Sequence, residues 1–263
     1  MNKLEQIVAF KKQEVQKIKA DIKLEDLVKS PNFKRETISL ASSLSDPKGS
    51  GVIAEFKRQS PSKGVINGTA DIKLVTQGYI NAGVAAQSIL TDVAFFGGNV
   101  MDLVQARTVN QSIPILRKDF IVDAFQIVES KAIGADAILL IAAVLTEEEL
   151  KKFSNLAEDL DLDVLFEVHD KSELDKLPES AKIVGINNRN LKTFKVDLEH
   201  SIELVKQLPD HVIKVSESGI SDPQIVTGLK QYGFKGFLIG ENFMKTDDPA
   251  EACKAFIDQL HGI

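Results

Sequence analysis

Only one cysteine, Cys253, occurs in the 263 residues. One thiol cannot close an internal disulfide, so the chain fits a reducing compartment, and the cytoplasm is the expected location. Cys253 itself reads as a buried or idle thiol. Long apolar runs are missing too. The stretch Ile138 to Leu145 is far short of the roughly 20 residues that a membrane-spanning helix needs. The opening stretch, Met1 to Leu27, carries too many charges for a secretory signal. Positive charge is not in excess. Lys and Arg number 32 against 38 Asp and Glu, a formal net charge of −6, which weighs against a nucleic-acid partner. A local group of lysines can still attract a small anion. Metal-ligand spacing is lacking: His169, His200, His211 and His261 form neither HxH nor HExxH. His169 reads as a loop histidine. No G-x-S-x-G elbow is present. The glycines at Gly49 and Gly51 precede an apolar run instead of following one, which excludes a dinucleotide fingerprint. These absences point to an enzyme or binding protein that needs neither metal nor redox cofactor.

What is present is a repeat of strand and helix signals. Leu4, Ile7, Val8, Val15 and Ile18 recur at near-helical spacing, and a turn-rich stretch from Ser43 to Gly51 follows. Residues 1–48 are therefore expected to form a helical extension packed on the body of the protein. After Gly51, eight short apolar runs alternate with amphipathic stretches. The runs are Val52–Phe56, Ala85–Leu90, Pro114–Arg117, Ala137–Ile141, Val164–Val168, Ile183–Ile186, Val212–Val215 and Gly236–Ile239. Helices are expected at Asp71–Ala82, Asp123–Ala132, Thr146–Leu160 and Pro223–Tyr232. Eight units in 214 residues give about 27 each, close to the minimum for a βα repeat. Alternation of this kind implies a parallel sheet, and eight units imply a closed (β/α)8 TIM barrel of the α/β class, one domain over residues 1–263.

Active sites of such barrels lie at the C-terminal ends of the strands. Here those ends carry Glu55 and Lys57, Lys118, Glu167, Asn187 and Arg189, Glu217 and Ser218, and Gly240. One charged residue after a strand is most often a solvated surface group. A set on five strands is not so easily explained. Residues i and i+2 share a strand face, so Glu55 points with Lys57, Lys118 with Leu116, and Glu167 with Leu165. Arg117 and Asp119 then fall on the other face and read as structural. Gly219 and Gly240 follow the last two strands, where barrels bind phosphate, and glycine lets backbone N–H groups approach an anion. Glu241 is an awkward neighbour for phosphate, and its side chain is expected to turn away.

At these residues the chain resembles the indole-3-glycerol-phosphate synthase family. The resemblance rests on Val52–Gly64, Ser88–Gly98, Ile115–Ile127, Leu165–Asp170, Gly185–Phe194, Ser216–Ile220 and Gly236–Lys245, in order and with compatible spacing. The Val-Ala pair before Phe95 is less polar than the family pattern. The resemblance implies conversion of 1-(2-carboxyphenylamino)-1-deoxyribulose 5-phosphate to indole-3-glycerol phosphate, with loss of carbon dioxide and water, in tryptophan biosynthesis. It implies catalytic positions at Glu55, Lys57, Lys118, Glu167, Asn187 and Ser218. Ser60, Arg189, Glu217, Gly219, Gly240 and Glu241 match substrate- or phosphate-binding positions, and Phe96 and Phe120 match aromatic positions of the anthranilate pocket. The expected partner is this small phosphorylated substrate, with no nucleic acid or membrane. A monomer is expected, with association with other tryptophan-pathway enzymes left open. An acidic ammonium is needed to protonate the substrate ketone, and burial beside a second cation is expected to lower its pKa toward neutrality.

Two other readings compete. A sugar-phosphate isomerase of the phosphoribosylanthranilate isomerase type would use a Cys and an Asp, and Cys253 lies far from any strand end. A non-catalytic phosphometabolite-binding barrel would keep Gly219 and Gly240 but has no need of Lys118 and Glu167 together.

Overall fold

The computed structural model describes residues 3–189 and 195–262. Among them, eight parallel strands close into a barrel. In chain order they are β1 Val52–Phe56, β2 Ala86–Leu90, β3 Ile115–Lys118, β4 Ala137–Ile141, β5 Asp163–Val168, β6 Ile183–Asn187, β7 Ile213–Glu217 and β8 Phe234–Ile239. Each pairs in parallel with its sequence neighbours, and β1 closes on β8 through Val52 with Phe237 and Ala54 with Ile239. The expected TIM barrel is the fold. Strand limits shift by up to two residues, chiefly because β6 and β7 continue through the polar Asn187 and Glu217.

Alternation along each strand sorts two apolar layers. Val52, Ala54 and Phe56 face the helices, whereas Ile53 faces the barrel interior with Leu116, Leu139, Ile141, Leu165, Ile183, Val215 and Leu238. The period of two then fixes what stands above the interior layer. Two residues beyond Ile53, Leu116, Leu165, Val215 and Leu238 come Glu55, Lys118, Glu167, Glu217 and Gly240. The strand cores that hold the barrel together thus aim these groups into its mouth.

Helices cover the outside and start at side-chain caps. Asp71 caps Ile72–Ala82, Asp123 caps Ala124–Ile133 and Thr146 caps Glu147–Asp159. At Thr146 the box is reciprocal: its hydroxyl accepts from the Glu149 N–H at 3.2 Å, and the Glu149 carboxylate accepts from the Thr146 N–H at 2.9 Å. Thr146→Ala is expected to cost about 1 kcal/mol, read as a lower urea midpoint with unchanged slope.

The N-terminal extension is helical as expected, in pieces: Lys3–Asp21, Leu24–Leu27, a 3₁₀ turn Pro31–Lys34, and Leu40–Ser45. The last helix runs into the segment read as turn-rich, because the Ser39 hydroxyl caps it by accepting from Ser42 N–H. Leu40 and Leu44 pack into the interior layer. Lys3, Leu4 and Ile7 stand at the opposite end, beside the barrel mouth. Between them, buried Lys11 contacts Asp92 and Asp119 at 3.0 Å each, and Arg35 contacts Asp136 at 2.6 Å. Burial works against the Lys11 charge, but Asp119, Asp92 and Glu14 together hold its pKa above the ordinary lysine value.

Candidate active site

A pocket of about 320 Å³ opens at the C-terminal ends of the strands, a size that suits a small ligand. Glu55, Lys57, Lys118, Glu167, Asn187 and Glu217 from the strands line it, with Ser218, Gly219, Gly240 and Glu241 from the last two loops. Ser60, Phe96, Phe120 and Arg189 complete the wall. All fourteen residues singled out from the sequence therefore surround one space. Residues 190–194 of the Gly185–Phe194 stretch, and Met1, Asn2 and Ile263, lie outside the described residues.

Lys118 is the centre of the charge pattern. Its ammonium donates to Glu217 Oε2 at 2.6 Å and to Glu167 Oε2 at 3.0 Å. Glu167 Oε1 accepts from the Asn187 amide at 3.1 Å. Lys57 is held apart by Glu55, at 2.7 Å. This arrangement corrects the expectation that a neighbouring cation lowers the pKa of the acid. Burial is the largest influence on Lys118 and does lower it, but Glu167, Glu217 and Glu55 together outweigh burial and hold it above the ordinary lysine range. The second cation is engaged by its own carboxylate.

The two carboxylates at Lys118 are driven apart. Burial pushes Glu217 up to about 7; Lys118 opposes this and the charge on Glu167 adds to it. Its Oε1 has no hydrogen-bond partner among the described residues and lies where a side chain on Gly185 would collide with it. Glycine at 185 is thus the space in which this carboxylate sits. Burial also disfavours ionised Glu167, yet Lys118 and His169 hold it down to about 2. Of this pair, Glu217 is the carboxyl pushed toward the protonated form and Glu167 the one held ionised.

Phe96 and Phe120 line the pocket as a tilted pair in contact with each other, 6.0 Å between ring centroids, a separation at which aromatic rings attract. Asp92 holds the first by accepting from the N–H groups of Phe95 and Phe96. Asp119 holds the second by accepting from the Phe120 N–H at 2.8 Å. Arg117 and Asp119 are structural, as read from their strand face: Arg117 is buried against Glu129 at 2.7 Å and Asp119 at 3.2 Å.

After β7 the chain takes two successive left-handed residues, Ser218 at φ 69° and Gly219 at φ 74°. The turn bends the chain sharply at the rim of the pocket. Buried Asn188 fixes it, its amide donating to Ser218 O at 2.7 Å and Ser216 Oγ at 3.0 Å. Gly240 admits the Glu55 side chain, whose Oε1 would stand 2.6 Å from a Cβ there. Glu241 does not turn away. It stays on the rim 3.7 Å from Lys63 and 3.8 Å from Arg189, because two cations flank the short helix it opens.

A family model described as indole-3-glycerol phosphate synthase matches residues 4–256. The chain belongs to the indole-3-glycerol phosphate synthase family. A synthase of that name from Bacteroides thetaiotaomicron is 46% identical over 257 residues, covering 98% of each chain. One from Caldanaerobacter subterraneus subsp. tengcongensis is 44% identical over 260 residues, covering 98% of this chain and 99% of its own. Among solved structures, a chain from the tryptophan synthase a2b2 complex of Pyrococcus furiosus superposes with a TM-score of 0.59 at 16% identity, covering 82% of this chain and 99% of that one. That likeness is one of fold.

For this indole-3-glycerol phosphate synthase family member, sequence reasoning missed several residues that build the site. Asn188 sits beside the expected Asn187, and only the alternation of strand faces separates them. Lys11 lies in a helix of many exposed lysines, with no local sign that it is buried. The two-stranded hairpin Gln59–Ser60 with Gly64–Val65, which carries Ser60 to the pocket, has strands too short for a periodic signal. His169 lies in the loop after β5, as expected, and the fold brings it against Glu167, which its position in the sequence does not show.

Proposed function

We propose that this chain catalyses the reaction for which its family is named. It closes the pyrrole ring of indole-3-glycerol phosphate from 1-(2-carboxyphenylamino)-1-deoxyribulose 5-phosphate and releases carbon dioxide and water. It is a carboxy-lyase of tryptophan biosynthesis. The observation that carries the reading is Lys118, held between Glu167 and Glu217 in a pocket that Phe96, Phe120 and the Ser218–Gly219 turn also line.

Each part has a task. The anthranilate ring packs against Phe96 and Phe120, and its carbon bearing the carboxylate attacks the ketone carbon. The ketone oxygen gains charge as this bond forms and takes a proton from Lys118. A lysine with a raised pKa is a poor acid toward a neutral ketone but well matched to a developing alkoxide, so transfer accompanies bond formation. Loss of carbon dioxide returns an electron pair to the ring. The hydroxyl then leaves as water, with Glu217 supplying a proton near neutral pH and Glu167, held ionised, accepting the one the ring gives up. Asn187 orients Glu167. The phosphate rests on the Ser218–Gly219 turn with Ser60, Gly240 and Arg189, where it competes with Glu241 for the rim cations.

Lys57 binds the substrate carboxylate, exchanging Glu55 for it. Lys57→Met is therefore expected to raise KM about tenfold and to change kcat less. Steady-state rates followed by indole fluorescence separate the two constants, and a loss confined to kcat would move Lys57 from binding to acid catalysis. A monomer in the cytoplasm is the state proposed for this site; the single thiol, Cys253, is buried and pushed up to about 12 by burial.

A further inference from the structure

His169 follows β5 and does not line the pocket, yet it is joined to the site through Glu167. Its backbone N–H donates to Glu173 Oε2 at 2.7 Å, and its Nδ1 faces the same oxygen at 3.2 Å. A carboxylate only accepts, so Nδ1 carries a proton. The other ring nitrogen, Nε2, lies buried 3.3 Å from Glu167 Oε1 and makes no hydrogen bond among the described residues. In a neutral ring with its proton on Nδ1, the electron-rich side of the ring at Nε2 would stand beside that carboxylate oxygen. The contact is favourable when the ring is an imidazolium, through attraction between charges rather than a hydrogen bond. A second histidine braces the backbone here: His200 Nε2 donates to His169 O at 2.8 Å.

We propose that His169 is a positioning residue, an imidazolium anchored by Glu173 that holds the Glu167 carboxylate ionised and turned between Lys118 and Asn187. The inference rests on the reading of Glu167 as a participant in ring closure. Glu167 Oε2 is taken by Lys118 and Oε1 by Asn187, so a cation at Oε1 completes its surroundings without entering the substrate space. The groups that face the imidazole are Glu167 from β5, Glu217 from β7, and Asp170 and Glu173 from the segment after β5, with Lys118 beyond Glu167. Burial lowers the His169 pKa; Glu173, Glu167 and Glu217 together outweigh it and raise it above the ordinary histidine value.

The experiment combines an NMR titration of the His169 ring with the pH dependence of kcat. In the wild-type enzyme the ring is expected to titrate above the ordinary histidine value of about 6.5, and kcat to fall on the alkaline side with the same midpoint. Glu173→Gln is expected to move both midpoints to lower pH together. His169→Gln keeps a neutral donor near Glu167 but no charge. It is expected to lower kcat about tenfold at neutral pH, to leave KM within a few-fold, and to abolish that alkaline limb. A limb from Glu217 would survive both changes, which distinguishes it. A wild-type ring that titrates at or below about 6.5, or a folded His169→Gln enzyme with full kcat and an unchanged profile, overturns the proposal. Wild-type protein that does not turn over the substrate refutes the activity reading instead, and the ring titration in wild type and Glu173→Gln still decides the state of His169.

Discussion

Lys118→Met is expected to lower kcat by roughly 10²–10⁴-fold while substrate still binds. Methionine keeps the length of the stem and removes both the proton and the charge. The ketone oxygen then has no donor where Lys118 stood, and the cost falls in the transition state, where that oxygen is most basic. Binding survives because the aromatic pair, Lys57 and the phosphate turn are untouched. One secondary effect follows from the surroundings. Glu167 and Glu217 share the Lys118 ammonium; without it, two buried carboxylates face each other and Glu217, already raised to about 7, rises further. The variant therefore takes up a proton at neutral pH instead of leaving two adjacent anions. Product affinity by calorimetry and kcat by fluorescence read the two halves of the claim. A folded variant with near-wild-type kcat would remove Lys118 from the chemistry and leave Lys57 as the acid.

Gly219→Val is expected to weaken binding of indole-3-glycerol phosphate roughly 100-fold, about 3 kcal/mol. Gly219 lies at φ 74°, a region that a β-branched residue enters only with strain. A Cβ at this position would also run into the Val196 side chain. Both effects push the turn out of the shape that aims its N–H groups at the phosphate. The loss should therefore depend on the phosphate. Indole glycerol, which lacks it, should bind wild type and variant alike, and calorimetry with both ligands makes the comparison. A folded variant with unchanged affinity for the phosphorylated product would take this loop out of the phosphate site.

The barrel was legible because its signal is local and repeated. Each interior aliphatic announces a residue two positions on that faces the same way, so Ile53, Leu116, Leu165 and Val215 point to Glu55, Lys118, Glu167 and Glu217. The identity of the site residues was legible for the same reason. Their electrostatic state was not, because it depends on which strands are neighbours across the mouth. Lys118 meets Glu167 and Glu217 from positions 49 and 99 residues away, and nothing near Lys118 in the chain indicates that its partners are anions. The same holds for Lys11, which looks like any lysine of a surface helix until the barrel supplies Asp92 and Asp119. Asn188 and His169 belong to this class too, since each acts through a backbone or carboxylate partner brought close only by the fold.

The most direct test is a single turnover of 1-(2-carboxyphenylamino)-1-deoxyribulose 5-phosphate labelled with ¹³C in its aryl carboxylate. With purified protein in excess, the label is expected to leave as carbon dioxide, one equivalent for each indole-3-glycerol phosphate formed, as ring closure requires. Label retained in an unchanged or merely isomerised substrate, with no indole fluorescence, would contradict the assignment of this site to ring closure and decarboxylation.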